Sequence, residues 1–144
     1  MELVGEENQN AALTRIYSHM KPDGSFICTL HNPVQRIHGV HGERVFRGEF
    51  QLPGNKKMIL FSLENYDEAS KVINGIQFYE LYNEQGVLEL ERQLDIQFSL
   101  IEQEPFERMI SNAGFRVVDL YGDYNKGSFI KESSPFMIYL LAKN

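Results

Sequence analysis

Apolar residues Leu13, Ile16, Tyr17 and Met20 recur at helical spacing, with Asn10, Thr14 and Ser18 on the other faces, which predicts a helix over residues 9–20. Asn8 stands where an N-cap is expected. Lys21-Pro22-Asp23-Gly24 stops the helix, because proline cannot continue it and Asp-Gly favours a turn. Residues 25–30, Ser-Phe-Ile-Cys-Thr-Leu, follow as a run apolar on both faces, the pattern of a strand covered on both sides as in a parallel sheet. His31-Asn32-Pro33 ends it. Helix, turn and two-sided strand together form the second half of a βαβ unit.

The middle third changes period. Residues 57–63, 76–82 and 87–100 are candidate strands, with a weaker one over 44–52, and Leu52-Pro53-Gly54-Asn55 and Asn83-Glu84-Gln85-Gly86 supply turns. The last of these strands alternates most cleanly. Leu88, Leu90, Leu94, Ile96, Phe98 and Leu100 point one way and Glu89, Glu91, Gln93, Asp95, Gln97 and Ser99 the other, with Arg92 breaking the apolar face. One covered face and one solvated face predict an antiparallel meander.

The final third returns to α/β. Glu104-Pro105 opens a helix with proline at its first position, Phe106, Met109, Ile110 and Ala113 form its buried stripe, and Gly114 fits a left-handed stop. Residues 115–120 and 136–141 are strands. The loop 121–135 is too short for a strand-helix-strand crossover, so this pair is expected as an antiparallel hairpin.

Composition narrows the function classes. A chain of 144 residues fits one domain, and at this size about 68–70% of the unfolded surface is buried on folding. The 42% hydrophobic content agrees with a sizeable core. Fourteen basic against 20 acidic residues give a net charge of −6, and Lys56-Lys57 is the longest basic run, which argues against a nucleic-acid partner. Cys28 is the single cysteine and lies in an apolar run, so a disulfide framework is excluded and a reduced compartment is expected. No apolar stretch approaches the roughly 18 residues of a spanning helix. Met1-Glu2-Leu3-Val4-Gly5-Glu6-Glu7 lacks the basic-then-apolar pattern of a signal peptide. A cytoplasmic protein with no membrane partner is expected.

Leu13-Thr14-Arg15-Ile16-Tyr17-Ser18-His19-Met20-Lys21-Pro22-Asp23-Gly24-Ser25-Phe26-Ile27 resembles the LxxIxxxLKPGGxFI segment of class I S-adenosylmethionine-dependent methyltransferases, with aspartate in place of the first glycine. In that family the segment is the helix, turn and fifth strand of a seven-stranded sheet. Phe106 through Asn144 resembles the family's end: a helix, an Ala-Gly-Phe turn, a sixth strand closing in Leu-Tyr-Gly-Asp-Tyr, a loop and a seventh strand. The antiparallel strands after His31-Asn32-Pro33 resemble those of a subgroup with a small sheet over the substrate mouth. The resemblance implies an α/β fold (α+β in isolation), a partial Rossmann-like sheet in the order five, seven, six, and an inserted antiparallel meander over about 44–100. Residues 1–144 then form a single domain, the C-terminal, substrate-side portion of the fold.

The family's cofactor site is a strand followed by a Gly-x-Gly-x-Gly-type turn, with an acidic residue on the next strand. Its physical purpose is close backbone approach and a hydroxyl acceptor. Gly39 and Gly42 form the nearest glycine pair, in a histidine-rich stretch not preceded by a strand, and nothing here matches. The expectation is therefore a truncated chain that lacks the cofactor half, binds no S-adenosylmethionine alone and is inactive by itself.

His31 and Asn32 stand where the fifth strand meets the carboxyl edge, the place of ligands in open α/β sheets; the plain alternative is a strand terminator. Tyr79 and Tyr82, with Phe78, lie on a strand the resemblance sets above the substrate mouth, and sheet packing is the alternative. Arg92 must reach water or a carboxylate, either a neighbour such as Glu80 or a substrate. His31, Asn32, Tyr79, Tyr82 and Arg92 are the substrate-side candidates. His38 and His41 have no cysteine beside them and only Glu43 nearby, so no metal site is expected. Tyr121-Gly122-Asp123-Tyr124 reads as a turn in which Gly122 allows an unusual backbone angle. No nucleophile-base constellation is present, and methyl transfer needs none, because placing the acceptor in line supplies most of its catalysis.

Two functions follow as expectations. One is methyl transfer from S-adenosylmethionine to a small-molecule acceptor; the other is a non-catalytic α+β domain that dimerises or binds a ligand through its antiparallel sheet. In either case residues 25–30, left as an edge with apolar residues on both faces, predict a homodimer.

Overall fold

Glycine, not asparagine, starts the first helix in the computed structural model, which describes residues 2–144; Met1, the first residue of the stretch read for a targeting pattern, lies outside them. Helix α1 spans Glu6–His19 with Gly5 as N-cap at φ 88°, a conformation open to glycine. No side chain caps it, and Glu6 and Glu7 in the first turn oppose the helix dipole instead. The expected cap Asn8 is the third helical residue, and its amide donates back to the Val4 carbonyl at 2.8 Å. The carboxyl end falls as expected, with the Met20 amide closing on Ile16 and Tyr17.

The chain divides into two compact units, one running to Gly39 and resuming over Phe98–Asn144, the other Val40–Gln97. In the first, strands β1 (Ser25–His31), β6 (Phe115–Tyr121) and β7 (Phe136–Lys143) form a sheet in the order β1-β7-β6. Strand β7 is antiparallel to both neighbours, so β1 and β6 run parallel to each other with β7 between them. Pairing of Cys28 with Tyr139 and of Leu30 with Met137 sets these four side chains on one face. Leu13 of α1 and Phe106, Met109 and Ile110 of α3 (Gln103–Asn112) join them in the core. The strand expected to be covered on both sides is covered on one: Ile27, on the opposite face of β1, is 66% exposed.

Helix α3 begins earlier than its proline announces. Glu102 is the N-cap and Pro105 the third helical residue, still inside the first turn, where its missing N–H has no partner to lose. Gly114 ends the helix at φ 94°, and a Cβ there would stand 2.9 Å from the Tyr17 ring. A short helix absent from the sequence reading, α2 (Pro33–His38), follows β1, with Pro33 in its first turn. Pro33 thus opens a helix as well as ending a strand.

The second unit is a meander in the order β2-β3-β4-β5: β2 Arg44–Leu52, β3 Lys56–Asp67, β4 Val72–Tyr82 and β5 Leu88–Ser99, whose last two residues re-enter the first unit. Strands β3 and β4 outrun their expected bounds because a tight turn joins them. There Asp67 accepts from the Ala69 amide and the Ser70 hydroxyl, and Lys71 takes a positive φ of 56°. Inside the sheet Arg47 donates to Ser62 at 2.6 Å and Glu64 at 3.3 Å, which satisfies polar groups that the sheet buries. The apolar face expected to be covered on β5 is open over most of its length, with Leu88, Leu90 and Leu94 47%, 39% and 54% exposed, and is covered only toward its end, where Leu100, just past the strand, is 2% exposed.

Candidate functional site

At one edge of the three-stranded sheet the carboxyl end of β1 meets the start of β7, His31 opposite Phe136. The two residues that close β1 behave differently. Asn32 is buried, and its side-chain amide donates to the carbonyls of Lys131 at 2.8 Å and Ser134 at 2.7 Å. Its Oδ1 accepts from the Val34 amide at 3.3 Å and so caps α2. Asn32 therefore pins the 121–135 loop to the strand, and both of its N–H groups are committed.

His31 is held as firmly but stays half-open. Glu2 spans it: one carboxylate oxygen accepts the His31 backbone N–H at 2.6 Å, and both lie 3.0 Å from Nδ1. The imidazole stacks on Phe98, centroids 5.6 Å apart and planes inclined by 27°, and tilts against Phe136 at 5.7 Å. The Arg36 guanidinium lies 5.5 Å from the centroid of the Phe98 ring. The Glu2 backbone carbonyl accepts from the Ser99 amide at 3.0 Å, which anchors the amino-terminal segment. A carboxylate only accepts, so Nδ1 carries the hydrogen it donates. Among the described residues nothing hydrogen-bonds Nε2.

Beside this edge is a cavity of about 360 Å³ lined by Asn32, Val34, Ile37, Glu104, Phe129 and Met137 among others. Its size suits a small molecule, and its walls are mixed, with Glu102, Gln103 and Lys131 beside the apolar side chains.

The remaining candidates are dispersed. Tyr79 and Tyr82 are three residues apart on β4, so they face opposite sides of the sheet. Tyr79 donates to Gln77 at 2.7 Å and Tyr82 to Glu80 at 2.6 Å, each along its own face. The Glu80 hydrogen bond is the main reason the Tyr82 hydroxyl is harder to ionise than usual. Arg92 does not pair with Glu80; it is exposed and donates to the Glu91 carbonyl at 3.0 Å. Arg44 takes Glu80 instead, its guanidinium 4.4 Å and 4.6 Å from the Phe61 and Phe78 centroids. Water reaches Arg92 freely, so its place on an apolar face needs no buried partner. His38 closes α2 and His41 belongs to the other unit; among the described residues no cluster has the composition of a metal site. Gly122 does not take a positive φ. It is needed for closeness, since a Cβ there would overlap the Ser134 hydroxyl. Glu2, Phe98 and Phe136 escaped the sequence reading because their partner His31 is remote in the chain, and no local motif marks them.

No protein-family model matches the sequence, and no curated protein matches it. Solved structures do match the fold. A S-adenosylmethionine-dependent methyltransferase from Clostridium acetobutylicum superposes with a TM-score of 0.78 at 8% identity, over 99% of this chain and 54% of that one. The chain has a class I methyltransferase-like fold. The CcbJ methyltransferase from Streptomyces caelestis matches at 0.67 and 17% identity, over 99% and 56%. CalS10, an amino pentose methyltransferase from Micromonospora echinaspora, matches at 0.64 and 11% identity, over 99% and 53%. This chain therefore spans about half the length of the methyltransferases it resembles. Among the described residues no helix is long and apolar enough to cross a membrane.

Proposed function

We propose that this chain is the substrate-side part of a S-adenosylmethionine-dependent methyltransferase that acts on a small-molecule acceptor. The sheet order β1-β7-β6, with β7 antiparallel between two parallel strands, is the observation that carries the reading. In it β1, β7 and β6 take the parts of the family's fifth, seventh and sixth strands, and the meander is the inserted sheet. The small-molecule acceptor is supported by the amino pentose methyltransferase among the similar structures and by the size of the cavity beside Asn32.

The residues present do not fit the methyl donor. Strand β1 runs into an asparagine-capped helix rather than a glycine turn. Gly39 is the C-cap of α2, and the Gly42 amide is already bonded to the Glu64 carbonyl at 3.0 Å. Neither offers the bare, closely approachable backbone that a nucleotide-like cofactor requires. The cofactor-holding part is thus not within these 144 residues, and the chain alone transfers no methyl group. Calorimetric titration with S-adenosylhomocysteine tests this. No heat of binding is expected, and low-micromolar affinity would overturn it.

Two assignments go with this reading. The free, buried Cys28 supports a reduced, cytoplasmic location. The unpaired edge of β1, with no lysine, glutamate or proline in the strand and Ile27 exposed, supports a homodimer that covers it together with α1.

A further inference from the structure

Val34 and Ile37 stand three residues apart on α2, on one side of the helix, and are 38% and 37% exposed. Their exposure has a specific place, because both line the cavity of about 360 Å³ together with Phe129 and the buried Met137. These four side chains form its apolar part, and the whole cavity lies within the first unit. Glu104, in the first turn of α3, and Lys131, in the 121–135 loop, line the same space. Among the described residues neither of these two charges has a partner, and they do not pair with each other. Water satisfies an exposed charge, so this alone marks nothing. What marks the pair is the fixed backbone beneath it. Asn32 donates to the Lys131 carbonyl at 2.8 Å and Gln35 donates to the Glu132 carbonyl, so two side chains at the start of α2 hold the segment that carries Lys131. Phe106, fully buried two residues on from Glu104, anchors the turn that carries the carboxylate. Opposite charges thus stand on fixed backbone around an apolar cavity, and a site preorganised in this way loses little freedom on binding.

We propose that this cavity binds a small zwitterion with an aliphatic body, in chemical class an α-amino acid of about the size of leucine. Its carboxylate meets Lys131, its ammonium meets Glu104, and its side chain lies against Val34, Ile37, Phe129 and Met137. A simple anion or cation would use one of the two charges, whereas a zwitterion uses both. The aliphatic body adds apolar burial, which exposed ion pairs cannot replace because each contributes little. The proposal deepens the small-molecule reading and rests on it only for the ligand's role as methyl acceptor.

Proton-nitrogen correlation spectra of the nitrogen-15-labelled chain, titrated with L-leucine, test this without any methyl donor. The backbone amides of Val34, Ile37, Gln103 and Lys131 should move saturably while those of β2, β3 and β4 stay in place. 3-Methylbutylamine and 4-methylpentanoate keep the aliphatic body and one charge each, and each should bind about threefold more weakly, the scale of one exposed ion pair. Glu104→Gln should weaken leucine by the same factor without weakening 4-methylpentanoate. Lys131→Gln should weaken leucine without weakening 3-methylbutylamine. Both side chains are exposed, so the variants keep the fold. The proposal is overturned by the absence of saturable shifts, by shifts spread equally over the meander, or by leucine binding no tighter than either single-charge compound. Variants that bind leucine as the wild type does overturn it too. The methyltransferase reading is decided by the calorimetric titration instead, so either can fail without the other.

Discussion

Gly122 backs onto Ser134 so closely that a Cβ at position 122 would lie 2.8 Å from the Ser134 Cβ and 3.1 Å from the Ser128 carbonyl oxygen. The contact closes the base of the 121–135 loop, where the Gly122 amide also donates to the Gly127 carbonyl at 2.7 Å and the Ser134 hydroxyl accepts from the Ile130 amide at 2.9 Å. Gly122→Ala should therefore destabilise the chain by about 1–3 kcal/mol through overpacking. Urea denaturation measures this, and a loss below 0.5 kcal/mol, taken as about the level of a neutral surface change, would show that the loop gives way.

Burial pushes the Cys28 thiol from its usual 9.0 to about 11, with the Glu2 carboxylate adding to the rise. The native state then holds the proton more tightly than the unfolded chain. Stability from this source is whole below pH 9 and declines between pH 9 and about 11, at up to about 1.4 kcal/mol per pH unit. Cys28→Ala should flatten that part of the stability profile. In the wild type at pH 8, iodoacetamide should label Cys28 only on unfolding, and rapid native labelling would contradict the burial.

Phe106 is fully buried and its ring lies 5.0 Å from that of Tyr139, at the junction of α3 and the sheet. Truncation to alanine should cost about 3–5 kcal/mol, a large fraction of the stability of a chain this size. Leu90→Ala, on the open face of β5, should change stability by no more than about 0.5 kcal/mol. Equal effects in parallel denaturation curves would refute the division between core and open face.

Ile27→Lys places a charge on the edge strand β1 at a side chain already in solvent. The proposed homodimer should dissociate to a 16.7 kDa species by sedimentation equilibrium while the fold persists. A wild type that is already monomeric at tens of micromolar would sink the dimer itself.

Local chemistry carried a good part of this fold. The spacing of Leu13, Ile16 and Tyr17 marked the buried side of α1, the stripe of Phe106, Met109 and Ile110 marked α3, and Gly114 marked its end, because each depends on residues within one or two turns. Alternation and turn residues located the four strands of the meander for the same reason. A short loop left the β6-β7 pair no option but an antiparallel hairpin. Caps were less legible: Asn8 looked like an N-cap, but Gly5 entered the helix first and left Asn8 inside it.

Tertiary structure decided what no local pattern encodes. Ile27 and Leu94 read as covered because they are apolar, yet coverage depends on which elements pack against the strand, and both side chains are more than half exposed. Gly122 looked like a residue of special backbone angle and proved to be one of close approach, since Ser134 reaches it only after the loop closes. Arg92 and Glu80 could pair on paper, but the sheet gave Glu80 to Arg44. Above all, Glu2 and His31 lie 29 residues apart. The sequence supplied a carboxylate and an imidazole, and only folding brought them to 3.0 Å, because hydrogen bonds and ring contacts act over a few ångströms of space and are blind to distance along the chain.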